Sequence, residues 1–349
     1  MIFKIGKTLV GEGAPCFVVA ELSGNHNGNI SRAKKMIIKA KEAGANAVKL
    51  QTYTADTITL KSNRNDFKIK KNSPWNKKKN LWSLYKKAYT PWEWHQELFK
   101  LSKKINIEIF SSPFDESAVD FLEKLKCPAY KIASAEINHI PLLEKVAKTK
   151  KPVILSIGLA TIQDINLALQ TLKKNGCKNI AILQCVSSYP SPLSHQNLKL
   201  IPHIKKRYGV ISGLSDHTLG TTAAITSVAI GGSIVEKHFN LNDKTKTVDS
   251  FFSLKNNHFK LMINQIRDTE ISLGNETFNI DNSSKKNFLS RRSIYVSKKI
   301  LKNEIITKAN IRVVRPNFGL HPKYFKKIIG KKSKVKLEAG TRFKLSYCK

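Results

Sequence analysis

Eight short apolar runs, spaced by amphipathic stretches, constrain this chain more than any other feature. The runs are FVVAEL (17–22), AVKLQ (47–51), IEIFSSP (107–113), AYKIAS (129–134), PVILSIG (152–158), IAILQC (180–185), VISGLSD (210–216) and SIVEKHF (233–239). Between them lie segments such as SRAKKMIIKAKEAG, TPWEWHQELFKLSKK, DESAVDFLEKLK and TIQDINLALQTLKKNG. These begin at Ser, Thr or Asp, and several end at Gly, the residues that start and stop helices. Eight β-then-α units over about 250 residues predict an α/β fold of the (β/α)8 TIM-barrel type, with a doubly wound open sheet as the alternative.

The flanks read differently. FKIGKTLVGEG near the start alternates and then turns at Gly11 and Gly13, so residues 1–14 are expected as a hairpin ahead of a barrel over 15–275. NETFNIDNSSKKNF loses apolar periodicity and gathers Asn, Ser and Lys, which places a linker at 276–288. Residues 289–349 carry the short β-type runs RSIYVSK, IRVVRP and SKVKL and no long helical pattern. They read as a small β-rich domain that is marginal on its own.

A charged residue is costly inside a barrel strand, yet expected at its C-terminal end, where the active sites of this fold collect. In strand order the ends carry Glu21; Lys49 with Gln51; Ser111 with Ser112; Lys131 with Ser134 and Glu136; Ser156; Gln184 with Ser187; Ser215 with Asp216 and His217; and Glu236 with Lys237 and His238. Any one of them could be a residue leaving the core, and Asp216 or Thr218 could simply start a helix. Together they have a chemical logic. Lysines and serine hydroxyls converging on one mouth suit a phosphate and a carboxylate. His217 and His238, on neighbouring strands, could share a divalent ion, and two imidazoles leave room for oxygen ligands, as an octahedral Mn2+-type site requires.

The formal net charge of +36 raises a nucleic-acid reading. Only nine of the 61 basic residues are arginine, and lysine is spread along the whole chain rather than interleaved with aromatics on one element. The basic stretches 68–80 and 326–336 therefore read as solvated faces or loops, and neither nucleic acid nor membrane is expected as a partner. The sequence opens without a basic, apolar leader, and its five scattered cysteines lack CxxC spacing, so a cytoplasmic, reduced protein is expected.

At these same residues the chain resembles the sialic acid synthase family. The matching stretches are VAELSGNHNG (19–28), VKLQTY (48–53), YKIASAEINHIPLL (130–143), ILSIGLAT (154–161), LQCVSSYPSP (183–192), GLSDHTLG (213–220) and VEKHFNL (235–241). The tail from RRSIYVSKK onward is similar to the antifreeze-protein-like (SAF) domain of that family. Residues 65–95, SSPF (111–114) and RPNFGLHPK (315–323) look most like the pseudaminic acid synthases within it. Ile157 and Val186 stand where threonine is common.

The resemblance implies condensation of phosphoenolpyruvate (PEP) with an open-chain amino sugar, releasing phosphate and forming a nine-carbon 2-keto acid. It implies that Lys49, Ser112, Lys131, Ser134, Ser156, Ser187 and Ser215 hold PEP. Glu21, Tyr189, Asp249 and Arg315 would meet the sugar, and Glu21 or Glu136 would handle protons. His217 and His238 would bind the metal, Mn2+ or else Mg2+ or Co2+. It also implies a domain-swapped homodimer in which Arg315 serves the partner's site. An N-acetylneuraminate or legionaminate synthase of the same mechanism is the alternative within the family, and a Schiff-base aldolase using Lys131 is the rival enzyme class.

Overall fold

The computed structural model describes residues 1–76 and 78–349; Lys77, inside the basic stretch 68–80, lies outside the described residues. The chain divides into two compact units, Met1–Gly274 and Asn275–Lys349.

In the first unit an antiparallel hairpin, β1 (Ile2–Ile5) with β2 (Thr8–Gly11), precedes eight parallel strands. These are β3 (Phe17–Glu21), β4 (Ala47–Thr52), β5 (Glu108–Pro113), β6 (Tyr130–Ile132), β7 (Val153–Ser156), β8 (Ile180–Cys185), β9 (Ile211–Asp216) and β10 (Ile234–Asn240). Each pairs with the next, and β10 pairs with both β9 and β3, so the sheet closes on itself as a barrel. That closure excludes the open doubly wound sheet. At the β9–β10 seam Gly213 faces Ile234, where a Cβ would sit 2.2 Å from the Ile234 carbonyl oxygen. Only glycine lets the two backbones approach this closely.

The helices form for local reasons. Asn29 Oδ1 accepts from the Arg32 N–H at 2.9 Å and caps helix Ile30–Glu42; Ala33, Met36, Ile37 and Ala40 then fall on one buried face. Thr161 and Asp164 cap Ile162–Lys174 reciprocally. Phe17, Val18, Leu155, Ile182 and Phe239 are fully buried, each contributing roughly 1.5–3 kcal/mol. The connection after β4 is long: residues 53–91 hold short helices Ala55–Ile58 and Leu81–Ala88 before helix Trp92–Lys104.

In the second unit β11 (Ser293–Val296) and β12 (Ile311–Val314) pair antiparallel over a core that includes Ile294, Ile300, Ile306, Ile328 and Phe343. SKVKL (333–337), expected as a strand, forms only isolated bridges: Ser333 meets Cys348 and Leu337 meets Ile300, different partners that support no continuous ladder. The expected linker contains a helical turn, Asn282–Lys285, because Asp281 Oδ1 accepts from the Ser284 N–H at 2.9 Å. Among the described residues no helix is long and apolar enough to cross a membrane.

Candidate active site

Side chains two apart on a strand share a face, so Glu236 and His238 project to the same side of β10 and Lys237 to the other. The register sets Glu21 beside Lys49 and His238, and Glu236 beside Ser215. Lys237 falls beside Asp216, and its Nζ lies 2.6 Å from Asp216 Oδ2 and 2.8 Å from the Thr218 carbonyl oxygen. Asp216 Oδ1 in turn accepts from the Thr218 N–H at 2.8 Å. This buried pair holds the turn that carries His217 between them in sequence.

On the other face lies a buried charge cluster. Lys49 Nζ is 2.9 Å from Glu21 Oε2 and 3.0 Å from Glu236 Oε1, and Lys131 Nζ is 3.3 Å from the same Glu236 oxygen. The Lys49–Glu21 contact is an ion pair off the hydrogen-bond line, and Glu21 Oε2 has no hydrogen-bond partner among the described residues. Glu21 Oε1 accepts from the Ser23 N–H at 2.8 Å and from Gln51 Nε2 at 3.2 Å. Lys49 donates to Ser112 Oγ at 3.2 Å, and the Ser215 hydroxyl donates to Glu236 at 3.3 Å.

Burial and these neighbours sort the ionisations. Burial alone would raise Glu236, but Lys131 and Lys49 outweigh it and hold the carboxylate down at about 2. Burial raises Glu21, which Lys49 offsets only in part while Glu236 pushes the same way as burial. Lys49 is raised because Glu21 and Glu236 overcome the burial that would lower it, whereas burial prevails at Lys131 and lowers it. Burial also brings His217 to about 4 and His238 well below 6.5, so both imidazoles are neutral at pH 7.

The two rings stand 5.4 Å apart, centre to centre. His217 Nδ1 lies 2.9 Å from the Val186 carbonyl oxygen, a bond that fixes the proton on Nδ1 and leaves the Nε2 lone pair free. Because Val186 acts through its backbone, the departure from threonine there leaves this bond intact. His238 Nδ1 is buried without a hydrogen-bond partner among the described residues. Two neutral imidazoles with available lone pairs fit a divalent cation whose other ligands are oxygens. Among the described residues no group of three or more His, Cys, Asp or Glu side chains is arranged to hold a metal.

A cavity of about 660 Å3 opens over this cluster, lined by Ser134, Glu136, Ser187, Tyr189, His238 and Asp249 among others. Gln51 also lines it and donates to Glu21, which ties the cavity to the buried charges. Ser156 Oγ, Ser187 Oγ and Glu136 Oε2 are buried without partners among the described residues. A Cβ at Gly158 would lie 2.6 Å from Ser187 Oγ, so this glycine leaves room beside the hydroxyl. Ser134 Oγ accepts from the Leu159 N–H at 2.7 Å, and Ser23 Oγ donates to Asp249 Oδ2. Burial pushes the Glu136 carboxyl up to about 7 and raises Asp249 as well.

The residues expected at the mouth are thus gathered in the first unit; Arg315 belongs to the second. Sequence reasoning gave no role to Glu236, the hub of the charge cluster, although its spacing of two from His238 was a usable signal. It also missed Ser23, Trp75 and Phe252. Trp75 reaches the Val248 carbonyl oxygen at 3.0 Å, and Phe252 packs 4.6 Å from the His238 ring. The partner of Trp75 is remote in sequence, so no local pattern announces the contact.

Comparison with known proteins identifies the family. A model of the NeuB family matches residues 36–278, and one of the SAF domain matches 291–344. A pseudaminic acid synthase from Helicobacter pylori is 45% identical, over 94% of this chain and 96% of that one. An N,N'-diacetyllegionaminic acid synthase from Campylobacter jejuni is 35% identical, over 90% of this chain and 94% of that one. The crystal structure of N-acetylneuraminic acid (sialic acid) synthetase from Leptospira borgpetersenii, in complex with citrate, superposes with a TM-score of 0.73 at 29% identity, covering 82% of this chain and 95% of that one. With its closed barrel, SAF domain and full-length relatives that are synthases, the chain is an enzyme and belongs to the NeuB family.

Proposed function

We propose that the chain is a pseudaminic acid synthase, joining PEP to 2,4-diacetamido-2,4,6-trideoxy-L-altrose and water to give pseudaminic acid and phosphate. The observation that carries the reading is the pair of buried ammonium groups, Lys49 and Lys131, at strand ends that also present the unpartnered hydroxyls of Ser156 and Ser187. Glu21 and Glu236 already face the two lysines, but each ammonium has more than one N–H to donate and the two hydroxyls have no partner, so the set can still take up anionic oxygens, and hydrogen bonds to ionised oxygens are strong where water is excluded. In this reading Lys49, Ser112, Lys131, Ser134, Ser156, Ser187 and Ser215 hold the PEP carboxylate and phosphate. Glu21, Tyr189 and Asp249 meet the sugar.

PEP C3 bonds to the aldehyde carbon, whose oxygen takes up a proton. Glu136 or Glu21, both raised by burial, supplies it. Water adds at C2 with loss of a proton, and the tetrahedral intermediate expels phosphate by cleavage of the C2–O bond. Glu236, held ionised, keeps Lys49 and Lys131 in place. A divalent cation on His217 and His238, which we assign as Mn2+ with Mg2+ or Co2+ as alternatives, would polarise the aldehyde oxygen as a Lewis acid.

PEP carrying heavy oxygen in the C2–O–P bridge tests the route. Label recovered in phosphate supports C–O cleavage, and label retained in the keto acid overturns it. The same proposal includes a homodimer in which Arg315 of one subunit serves the other's sugar. An Arg315→Ala protein mixed with a His238→Ala protein should then regain activity that neither has alone. One observation favours an aldolase, the lowered ammonium of Lys131. Borohydride with both substrates should leave Lys131 unmodified, and a trapped adduct there would establish that second reading.

A further inference from the structure

The long connection after β4 gives the cavity much of its apolar lining. Ile58, Ile69, Leu81 and Leu84 come from it, Phe114 from the loop after β5, and Leu159, Val248 and Phe252 from other loops, while Glu136, Ser187, His238 and Asp249 add polar groups. None of the four aliphatic side chains from the connection belongs to the barrel's hydrophobic clusters. They are only partly buried, so they retain apolar surface that a ligand can still cover.

The wall is held in shape by its own contacts. Trp75 Nε1 donates to the Val248 carbonyl oxygen at 3.0 Å, and its ring meets Tyr189 with centres 5.6 Å apart. Tyr53 packs edge-on against Tyr85 and Phe114 at 5.8 and 5.1 Å. Asn80 Oδ1 accepts from the Ser83 N–H at 2.9 Å and caps helix Leu81–Ala88.

We propose that Ile58, Ile69, Leu81 and Leu84 form the specificity wall of the sugar site. Its aliphatic side chains cover the methyl groups of the sugar while the aldehyde end lies toward His238 and Glu136. The inference rests on the proposed function and adds to it which part of the sugar is read, and by which residues. A diacetamido-trideoxy hexose carries its two acetyl methyls and a methyl at C6; N-acetylmannosamine carries one acetyl methyl and ends in a hydroxymethyl group. Each methyl withdrawn from water strengthens binding by about fourfold. A hydroxyl placed against the same side chains exchanges water for no partner and is penalised further.

The test is steady-state phosphate release by Leu84→Asn and Ile69→Thr. The second substitution lies in a loop outside the core and keeps the test open if the first misfolds. Leu84→Asn should raise KM for the trideoxy sugar by about tenfold and leave KM for PEP within about twofold. In both variants the preference for the trideoxy sugar over its 6-hydroxy analogue should fall severalfold. Wild-type turnover of the trideoxy sugar together with unchanged preference in both variants, or equal changes for PEP and sugar, would overturn the wall alone. Failure of the wild type to turn over that sugar would overturn the functional reading and the wall with it.

Discussion

Glu136→Gln is expected to make the protein more stable in alkali while impairing catalysis. The carboxyl sits in the cavity with Oε2 buried and unpartnered among the described residues, and burial raises it from 4.5 to about 7. The sign follows from linkage. Below pH 4.5 the group is protonated whether the chain is folded or not, so it has no pH-dependent effect there. Between 4.5 and about 7 the unfolded chain ionises and the folded one does not, so stability is lost as pH rises through that window and stays lost above it. At about 1.36 kcal/mol per unit the full cost approaches roughly 3 kcal/mol; contact with cavity water reduces the part expected between pH 5 and pH 8 to about 2 kcal/mol. Glutamine does not ionise. Urea unfolding of both proteins at the two pH values should therefore show the variant gaining about 2 kcal/mol relative to wild type on going to pH 8. The wild-type inflection of kcat/KM near neutrality should disappear in the variant. A stability difference between the two proteins that is independent of pH would refute the argument, because it would mean that Glu136 ionises in the folded chain as it does in water.

Three further outcomes follow from the site. His217→Ala or His238→Ala should abolish turnover with little change in urea midpoint, and EDTA should silence the wild type until Mn2+ is restored; full activity in a chelated preparation would contradict the two-imidazole site. Lys131→Met should raise KM for PEP far more than KM for the sugar, since it removes a point charge that meets the acid; equal changes would indicate general disruption of the mouth. Lys237→Met leaves Asp216 buried without its cation and should cost about 3–5 kcal/mol in unfolding free energy. A midpoint unchanged from wild type would show that the buried Asp216 carboxylate does not depend on the Lys237 cation.

The barrel was legible because its strands are buried on both faces. The run FVVAEL became Phe17–Glu21 and IAILQC became Ile180–Cys185, each bounded by the turn residues that ended the apolar pattern. The candidate site was legible as charge at strand ends, where Lys49, Lys131 and His238 interrupt runs that the core would otherwise keep apolar. Which of those charges pair was not. Lys237 and Glu236 are adjacent in sequence, yet one pairs with Asp216 on one face of the strand and the other with two lysines on the opposite face. The apolar wall was hidden for another reason. Leu81 and Leu84 sit beside a lysine-rich stretch that reads as solvated, and contacts remote in sequence, of Trp75 with Val248 and Tyr189 and of Tyr85 with Tyr53, set them at the cavity. In the second unit SKVKL has strand composition, but its isolated bridges depend on partners that composition does not specify.

Phosphate release from PEP by the wild-type enzyme, followed with matched concentrations of 2,4-diacetamido-2,4,6-trideoxy-L-altrose, the corresponding legionaminic acid precursor and N-acetylmannosamine, decides the assignment of the sugar. Rapid turnover with the altrose and very little with the other two is predicted. A comparable kcat/KM with N-acetylmannosamine would contradict the assignment of the sugar while leaving the condensation chemistry in place, and no phosphate with any of the three would contradict both.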